Sequence, residues 1–137
     1  MTALVHLGPG SQSPRWAEAL DETCFGEAWG TLDEFEHVWG IQPDAFARWR
    51  ILPEVHEAEL LRIGVAPEVR GRGRGRALLR HCQQELERMG VEVLHLEVRV
   101  SNAGARALYE SEGWRCRGTR RAYYRDGETA ALYSRGD

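Results

Sequence analysis

Residues 60–79 constrain the fold of this chain more than any other stretch. They begin as an apolar strand, pass Pro67 into a loop in which arginine and glycine alternate, and end as an amphipathic helix. Gly71, Gly73 and Gly75 allow the main chain to turn tightly and to approach a ligand closely. The first amides of a helix lack partners and lie at the positive end of its dipole, so this arrangement predicts a phosphate or pyrophosphate site.

The alternating arginines of this loop have a second interpretation, because a bare Arg/Gly repeat is typical of a solvated linker or an RNA-binding segment. The strand before it and the helix after it favour the phosphate site, since a disordered segment does not lie between two regular elements. The formal net charge of the chain is −3, so the positive charge is local and we expect no direct nucleic-acid binding.

The composition predicts a single domain over residues 1–137, with 42% hydrophobic residues available for its core. The chain contains no lysine, which excludes lysine Schiff-base chemistry. Cys24, Cys82 and Cys116 are odd in number and widely spaced, so they predict neither a disulfide framework nor a metal site. No signal peptide or membrane span is predicted, and we expect a cytoplasmic protein with no membrane partner.

Strands and helices alternate through the second half of the chain, which predicts a mixed α/β fold of the α+β type. Predicted strands cover residues 2–7, 45–52, 57–65, 91–98, 114–124 and 129–133. Predicted helices cover residues 15–25, 31–39, 74–89 and 103–112, the second of them from the capping-box spacing of Thr31 and Glu34. Asp126-Gly127 predicts a tight hairpin turn between the last two strands.

Three side chains near the predicted phosphate site are candidates for chemistry. Glu97 lies near the end of the strand that follows the phosphate-site helix, on the face opposite Leu96 and Val98. Tyr109 lies in the next helix, and Asn102 precedes that helix. Taken singly, each also fits an ordinary role: a solvated strand carboxylate, a half-buried helical tyrosine and a helix cap.

Two motifs resemble those of a known enzyme family. The pattern Arg70-x-x-Gly73-x-Gly75, between a strand and a helix, resembles the acetyl-CoA-binding motif of the GNAT N-acetyltransferase superfamily. Segments 96–103 (LEVRVSNA) and 107–114 (ALYESEGW), with 120–124 (RRAYY), are similar to the RimI family of that superfamily, which acetylates the N-terminal alanine of a ribosomal protein. The likeness covers about residues 57–132.

This resemblance implies a GNAT fold, a mixed central sheet with splayed fourth and fifth strands flanked by helices. It implies acetyl-CoA as co-substrate and the N-terminus of a protein, a small-subunit ribosomal protein, as acceptor. The implied cofactor contacts are Ile63, Gly64 and Val65 on a strand, Asn102, and the pyrophosphate loop of Arg70, Gly71, Arg72, Gly73, Arg74, Gly75 and Arg76. Gly64 also fits a strand bulge or a close ligand approach.

The same resemblance places Glu97 as proton acceptor and Tyr109 as proton donor, with Tyr123 and Tyr124 as candidates to line the acceptor groove. An α-amine has a pKa of about 8, against about 10.4 for a lysine side chain, so a carboxylate suffices to remove its proton, directly or through water. Main-chain amides of the splayed strand are candidates to stabilise the oxyanion, and a phenol to protonate the departing thiolate. No metal is required.

Several alternatives stay open. The rival bases His56, His95, Glu57 and Glu59 are each more typical of structural or surface positions. The function is N-terminal acetylation of a protein, acetylation of a small amine such as an antibiotic, polyamine or amino acid, or CoA or RNA binding without catalysis. The chain is short before residue 45 and has Glu128-Thr129 where the RimI pattern leads us to expect an acidic pair, so the peptide preference is open.

Overall fold

A computed structural model describes residues 3–136 and contains, within them, one seven-stranded sheet. The strand order is β1-β2-β3-β4-β5-β7-β6, and only the β4–β5 pair is parallel. The strands are β1 Ala3–Leu7, β2 Glu36–Gln42, β3 Ala45–Leu52, β4 Glu57–Val65, β5 Val93–Arg99, β6 Arg115–Arg120 and β7 Ala130–Gly136. This confirms the predicted fold class. Thr2, the first residue of the predicted strand 2–7, lies outside the described residues.

Helices cover both faces of the sheet: α1 Arg15–Phe25, α2 Arg74–Arg88 and α3 Ala103–Ser111. The apolar stripe of α2, which includes Leu78 and Leu86, packs with Trp49 and Leu96 of the sheet in the main core. Leu20 of α1 belongs to a second cluster on the other face. None of the helices in the described residues is long and apolar enough to cross a bilayer.

The predicted second helix, residues 31–39, is wrong, because its C-terminal half forms strand β2 between β1 and β3. Val38 enters the core cluster on the α1 side and Trp39 the cluster on the α2 side. That alternation has the period of a strand buried on both faces. Glu36, rather than Glu34, accepts the Asp33 amide at 2.9 Å, so the local capping pattern is overridden by tertiary pairing.

The predicted strand 114–124 is also too long, since β6 ends at Arg120. Ala122 has a φ of 50°, in the left-handed region, and the chain turns away from the sheet there. Tyr123 and Tyr124 therefore lie in the β6–β7 loop, and Asp126-Gly127 is one turn of that loop rather than a tight two-residue hairpin.

The parallel strands β4 and β5 separate halfway along their length. They pair only from Glu57 to Leu60 on β4, against residues 93–96 of β5, and the described residues beyond are unpaired with each other. On the other edge of β4, Trp49 pairs with Leu60 and Arg48 with Arg62, so Leu61 is the extra residue of a β-bulge. A bulge bends and twists its strand, and here it accompanies the splay that was expected between the fourth and fifth strands.

Candidate active site

The splayed strands open onto a cleft of about 460 Å³, called here the large cleft. It is lined by segments 60–63 of β4 and 96–99 of β5, and by Asn102, Tyr109 and Tyr124. Because β4 has no β5 partner beyond Leu60, the main-chain groups on that edge are available to a bound molecule.

A second cavity of about 220 Å³, the small cavity, shares part of its wall with the large cleft. Both are lined by Leu60, Leu61, Glu97 and Tyr124, and the small cavity adds Trp29, Glu59 and Tyr123. Glu97 therefore lines both the large cleft and the small cavity, and a molecule bound in either of them can contact its carboxylate.

The Glu97 carboxylate forms a long ion pair with Arg120, whose Nη1 lies 3.5 Å from Oε1 of Glu97. Its side chain is 22% exposed, and an ion pair of this length and exposure is worth less than about 1 kcal/mol. The neighbouring Glu97 carboxylate raises the pKa of Tyr123. Glu97 keeps acceptor capacity for another proton donor.

Tyr109 is held rigidly in the wall of the large cleft. Its ring is buried, with its centroid 5.8 Å from that of Trp114 and 6.2 Å from that of Tyr133. Burial raises the pKa of Tyr109 to about 12, so the phenol stays protonated at neutral pH. A protonated hydroxyl beside the cleft is a hydrogen-bond donor, the property expected of a group that assists a leaving thiolate.

The loop predicted to bind a phosphate leads into the start of α2. Gly71 and Gly73 have φ values of 80° and 79°, and Gly73 is the residue that precedes the helix. The Ala77 amide makes the first helical bond to the Gly73 carbonyl, which leaves the amides of the first turn facing outward. At Gly71 and Gly73 an added Cβ meets nothing within 4 Å, so the left-handed backbone, not crowding, requires glycine.

The loop arginines are mostly bound by the protein itself. Arg70 Nε donates to the Val65 carbonyl at 2.9 Å, and Arg74 Nε to Asp44 at 3.2 Å. Arg76 Nη1 donates to Glu112 at 2.7 Å, between α2 and α3. Arg72 makes no such bond within residues 3–136. Asp44 and Glu112 thus offset the charges of Arg74 and Arg76, so the net positive charge at the loop is smaller than the sequence indicated.

Crowding by protein side chains, rather than the expected strand bulge or ligand, explains the glycine at position 64. An added Cβ would lie 2.9 Å from Cε1 of Phe46 and 3.2 Å from Sγ of Cys24. The close approach is therefore by protein side chains, and the bulge lies at Leu61. Of the three predicted strand contacts, Ile63 lines the large cleft, whereas Gly64 and Val65 do not.

Asn102 is the cap of α3, because its Oδ1 accepts the Ala105 amide at 3.2 Å, and it also lines the large cleft. Tyr123 and Tyr124 meet edge to face at 5.1 Å and both line the small cavity. The Arg99 guanidinium lies 4.2 Å from the centroid of Tyr124 and holds that ring in place.

The rival bases separate into two groups. His95 is engaged at both ring nitrogens, since Nε2 lies 2.6 Å from Glu57 and Nδ1 lies 3.0 Å from Ser134. His56 contacts the Gly90 carbonyl. Neither histidine lines either cavity. Glu59, in contrast, lines the small cavity.

Sequence reasoning missed Trp29 and offered Glu59 only as a rival base of structural or surface type, although both line the small cavity. Glu59 reaches the small cavity because of the register between β4 and β5. In that register Glu59 lies opposite His95, which is two residues before Glu97 along β5. Trp29 lies in an irregular loop after α1, where no periodic pattern indicates which way a residue faces. A large aromatic in a polar loop is the one signal that the sequence offered for Trp29.

Comparisons with known proteins place the chain in a family. The model of the acetyltransferase (GNAT) family matches residues 4–114. The chain is 48% identical over 124 residues to the [ribosomal protein bS18]-alanine N-acetyltransferase of Escherichia coli K12, covering 90% of this chain and 80% of that one. It is 46% identical over 81 residues to the N-alpha-acetyltransferase RimI of Mycobacterium tuberculosis, covering 59% and 49%.

The crystal structure of the ribosomal-protein-S18-alanine N-acetyltransferase from Escherichia coli superposes with a TM-score of 0.79. The superposition covers 99% of this chain and 94% of that one, with 32% identity over the superposed residues. The similarity therefore extends over β6 and β7, which lie beyond the family match.

Proposed function

This chain belongs to the acetyltransferase (GNAT) family, and from that premise we propose that it is an N-alpha-acetyltransferase of a ribosomal protein N-terminus. It transfers the acetyl group of acetyl-CoA by direct attack of the α-amine, with Glu97 as base and Tyr109 as acid. The observation that supports this most strongly is that Glu97 and Tyr109 line one cleft between strands that have separated.

Acetyl-CoA supplies an activated thioester and a diphosphate by which it is held. The outward amides at the start of α2, with Gly71, Gly73 and the Arg72 side chain, fit the diphosphate. The unpaired edge of β4 near Ile63 offers main-chain groups to the rest of the molecule, and Asn102 adds a polar contact. The side chains of Arg70, Arg74 and Arg76 stabilise the loop and the start of α2, while the main-chain amides of Arg74 and Arg76 stay part of the proposed diphosphate site.

Glu97 receives the proton of the attacking amine. With a pKa of about 8, an α-amine is mostly protonated at pH 7, with roughly one tenth neutral. The Glu97 carboxylate accepts a proton from the bound amine, directly or through water, so that the neutral nitrogen attacks, and then releases that proton to solvent. The main chain around the Leu61 bulge, unpaired toward β5, is positioned to donate to the oxyanion that forms.

Tyr109 assists the departure of CoA. The carbon–sulfur bond breaks after the carbon–nitrogen bond has formed, and the sulfur leaves as a thiolate. Since the Tyr109 phenol has a pKa of about 12 and a thiol about 8.5, Tyr109 donates a hydrogen bond to the sulfur and relays the second proton of the acceptor amine to it. Tyr109 ends the cycle protonated, as it began.

The direct test measures CoA release with a short peptide that copies the N-terminal residues of ribosomal protein bS18. The same peptide with a blocked α-amine is the negative control. Glu97→Gln and Tyr109→Phe lower turnover by about 10²–10⁴-fold at saturating acetyl-CoA, because each removes a proton-transfer group. Glu57→Gln, on the same sheet but outside both cavities, is the matched control and keeps wild-type turnover. Near-wild-type turnover in both site variants contradicts the assignment.

The same assay separates the two alternative functions. Turnover of polyamines or amino acids without turnover of the peptide indicates a small-amine acetyltransferase. Thermal stabilisation by RNA and none by acetyl-CoA indicates a binding module without catalysis.

A further inference from the structure

The small cavity contains two carboxylates, although the proposed reaction uses only Glu97. Glu59 lies on β4, where that strand still pairs with β5. Glu97 lies on β5, just beyond the last paired residue. Glu59 is partly buried and forms no ion pair within the described residues 3–136. A carboxylate that loses part of its hydration and gains no cation is destabilised in its ionised form, and a positive group bound beside it offsets that cost.

The charged groups around Glu59 do not neutralise the pair. Burial, and then the charge of Glu97, raise the pKa of Glu59, while Arg50 of β3, His95 of β5 and Arg120 of β6 act in the opposite direction. Arg120 is the cation in contact with Glu97, at 3.5 Å, and His95 is bound to Glu57. The small cavity therefore has a local excess of negative charge that a small cation relieves.

Aromatic rings form the rest of the small cavity wall: Trp29, Tyr123 and Tyr124. Arg48 and Arg62 both lie 4.7 Å from the Trp29 ring centroid and hold that ring in place. A guanidinium already stacks on each of these rings, so what the rings add beside the two carboxylates is exclusion of water, which strengthens the attraction between a carboxylate and an ammonium ion.

We propose that Glu59 is a positioning residue that binds the acceptor α-amine in its ammonium form, beside Glu97, before the reaction begins. The inference rests on the proposed function for the identity of the acceptor. Glu97 then accepts one proton from the ammonium, the neutral nitrogen attacks, and the second proton reaches the CoA sulfur as described above. Glu59 stays ionised throughout, so it affects acceptor binding more than the chemical step.

The test compares two ligands that differ only at the N-terminus, which is a charged amine in one and a neutral acetamide in the other. A free-amine peptide and its Nα-acetylated form are titrated calorimetrically into the protein saturated with CoA, using wild type, Glu59→Gln and Glu57→Gln. Glu59→Gln weakens binding of the free-amine peptide about tenfold, the loss expected for a hydrogen bond to a charged group at a partly exposed site. Binding of the acetylated peptide and of CoA is unchanged, and Glu57→Gln matches wild type.

Two kinetic readouts accompany the titration. In Glu59→Gln the acceptor KM rises about tenfold, as the dissociation constant does, while kcat falls by less than about threefold. This is the pattern expected when ground-state binding is lost. In wild type, acceptor binding weakens as the pH falls through the pKa of Glu59, and the variant loses this dependence. Thermal unfolding checks folding, and Glu59→Gln is as stable as wild type because it removes the repulsion from Glu97.

Two results overturn the proposal: equal binding of the free-amine peptide by Glu59→Gln and wild type, or equal weakening of both peptides, which indicates a purely structural role. Failure of the proposed function is a different result. If wild type acetylates a small amine and no peptide, the titration is repeated with that amine and its N-acetyl product, and Glu59 is judged on the same comparison.

Discussion

Arg48 ties the loop that carries Trp29 to the sheet, and replacing it tests how the small cavity is built. Its side chain is 2% exposed and donates to Glu36, itself 3% exposed, at 2.8 Å. It also donates to the carbonyls of Gly30 and Thr31, both at 3.1 Å, and stacks on Trp29. Arg48→Met removes these contacts and leaves the Glu36 charge buried.

The expected loss is large because breaking a buried pair from one side costs about 3–5 kcal/mol. Glu36 keeps the Asp33 amide at 2.9 Å and Arg50 Nη2 at 4.0 Å, so we expect the lower end, about 3 kcal/mol. Because the remaining charge causes most of the loss, Arg48→Met with Glu36→Gln is more stable than Arg48→Met alone.

Urea unfolding of wild type, both single variants and the double variant measures these differences. The acceptor KM of Arg48→Met rises as well, since Trp29 loses its support, while acetyl-CoA affinity stays unchanged. A loss of less than about 1 kcal/mol, the value of an exposed ion pair, refutes the assignment of Arg48 as a buried anchor.

Three further predictions concern the loop, a helix and the far edge of the sheet. Arg72→Gln weakens acetyl-CoA binding about threefold, and less at high salt, in a calorimetric titration where Arg88→Gln is the unchanged control. Gly104→Ala in α3, where an added Cβ meets nothing within 4 Å, raises the free energy of unfolding by about 0.4–1 kcal/mol in urea; a decrease contradicts the packing described. Burial lowers the pKa of His6 and His37, so the unfolded chain binds more protons and the free energy of unfolding declines as the pH falls below about 6.5. His37→Gln makes this decline smaller, as measured by urea unfolding at several pH values. If the free energy of unfolding depends on pH equally in the variant and in wild type, the assignment to His37 is wrong.

The strand, loop and helix of residues 60–79 were predictable because their signals are local. Apolar alternation, positive-φ glycines and a leucine stripe each specify conformation within a few residues, and the structure has Gly71 and Gly73 in the left-handed region as expected. The Thr31–Glu34 pattern is equally local but weak, and burial of Val38 and Trp39 on two faces of β2 outweighs it.

The small cavity was the part that the sequence did not predict, because it depends on contacts between distant segments. Glu59 meets Glu97 through the parallel register of β4 and β5, and Trp29 is held at the cavity by Asp21, Arg48 and Arg62, which are distant in sequence from one another. The left-handed Ala122 that takes Tyr123 out of the sheet is a conformation that alanine rarely adopts, so its sequence gives no warning.

A crystal structure of the protein with CoA joined covalently to an acceptor peptide tests the central claim most directly. The account predicts the diphosphate on the amides of residues 71–76, the sulfur beside the Tyr109 hydroxyl, and the peptide nitrogen facing Glu97 between separated β4 and β5. A diphosphate bound elsewhere, or β4 and β5 paired along residues 61–65, contradicts it.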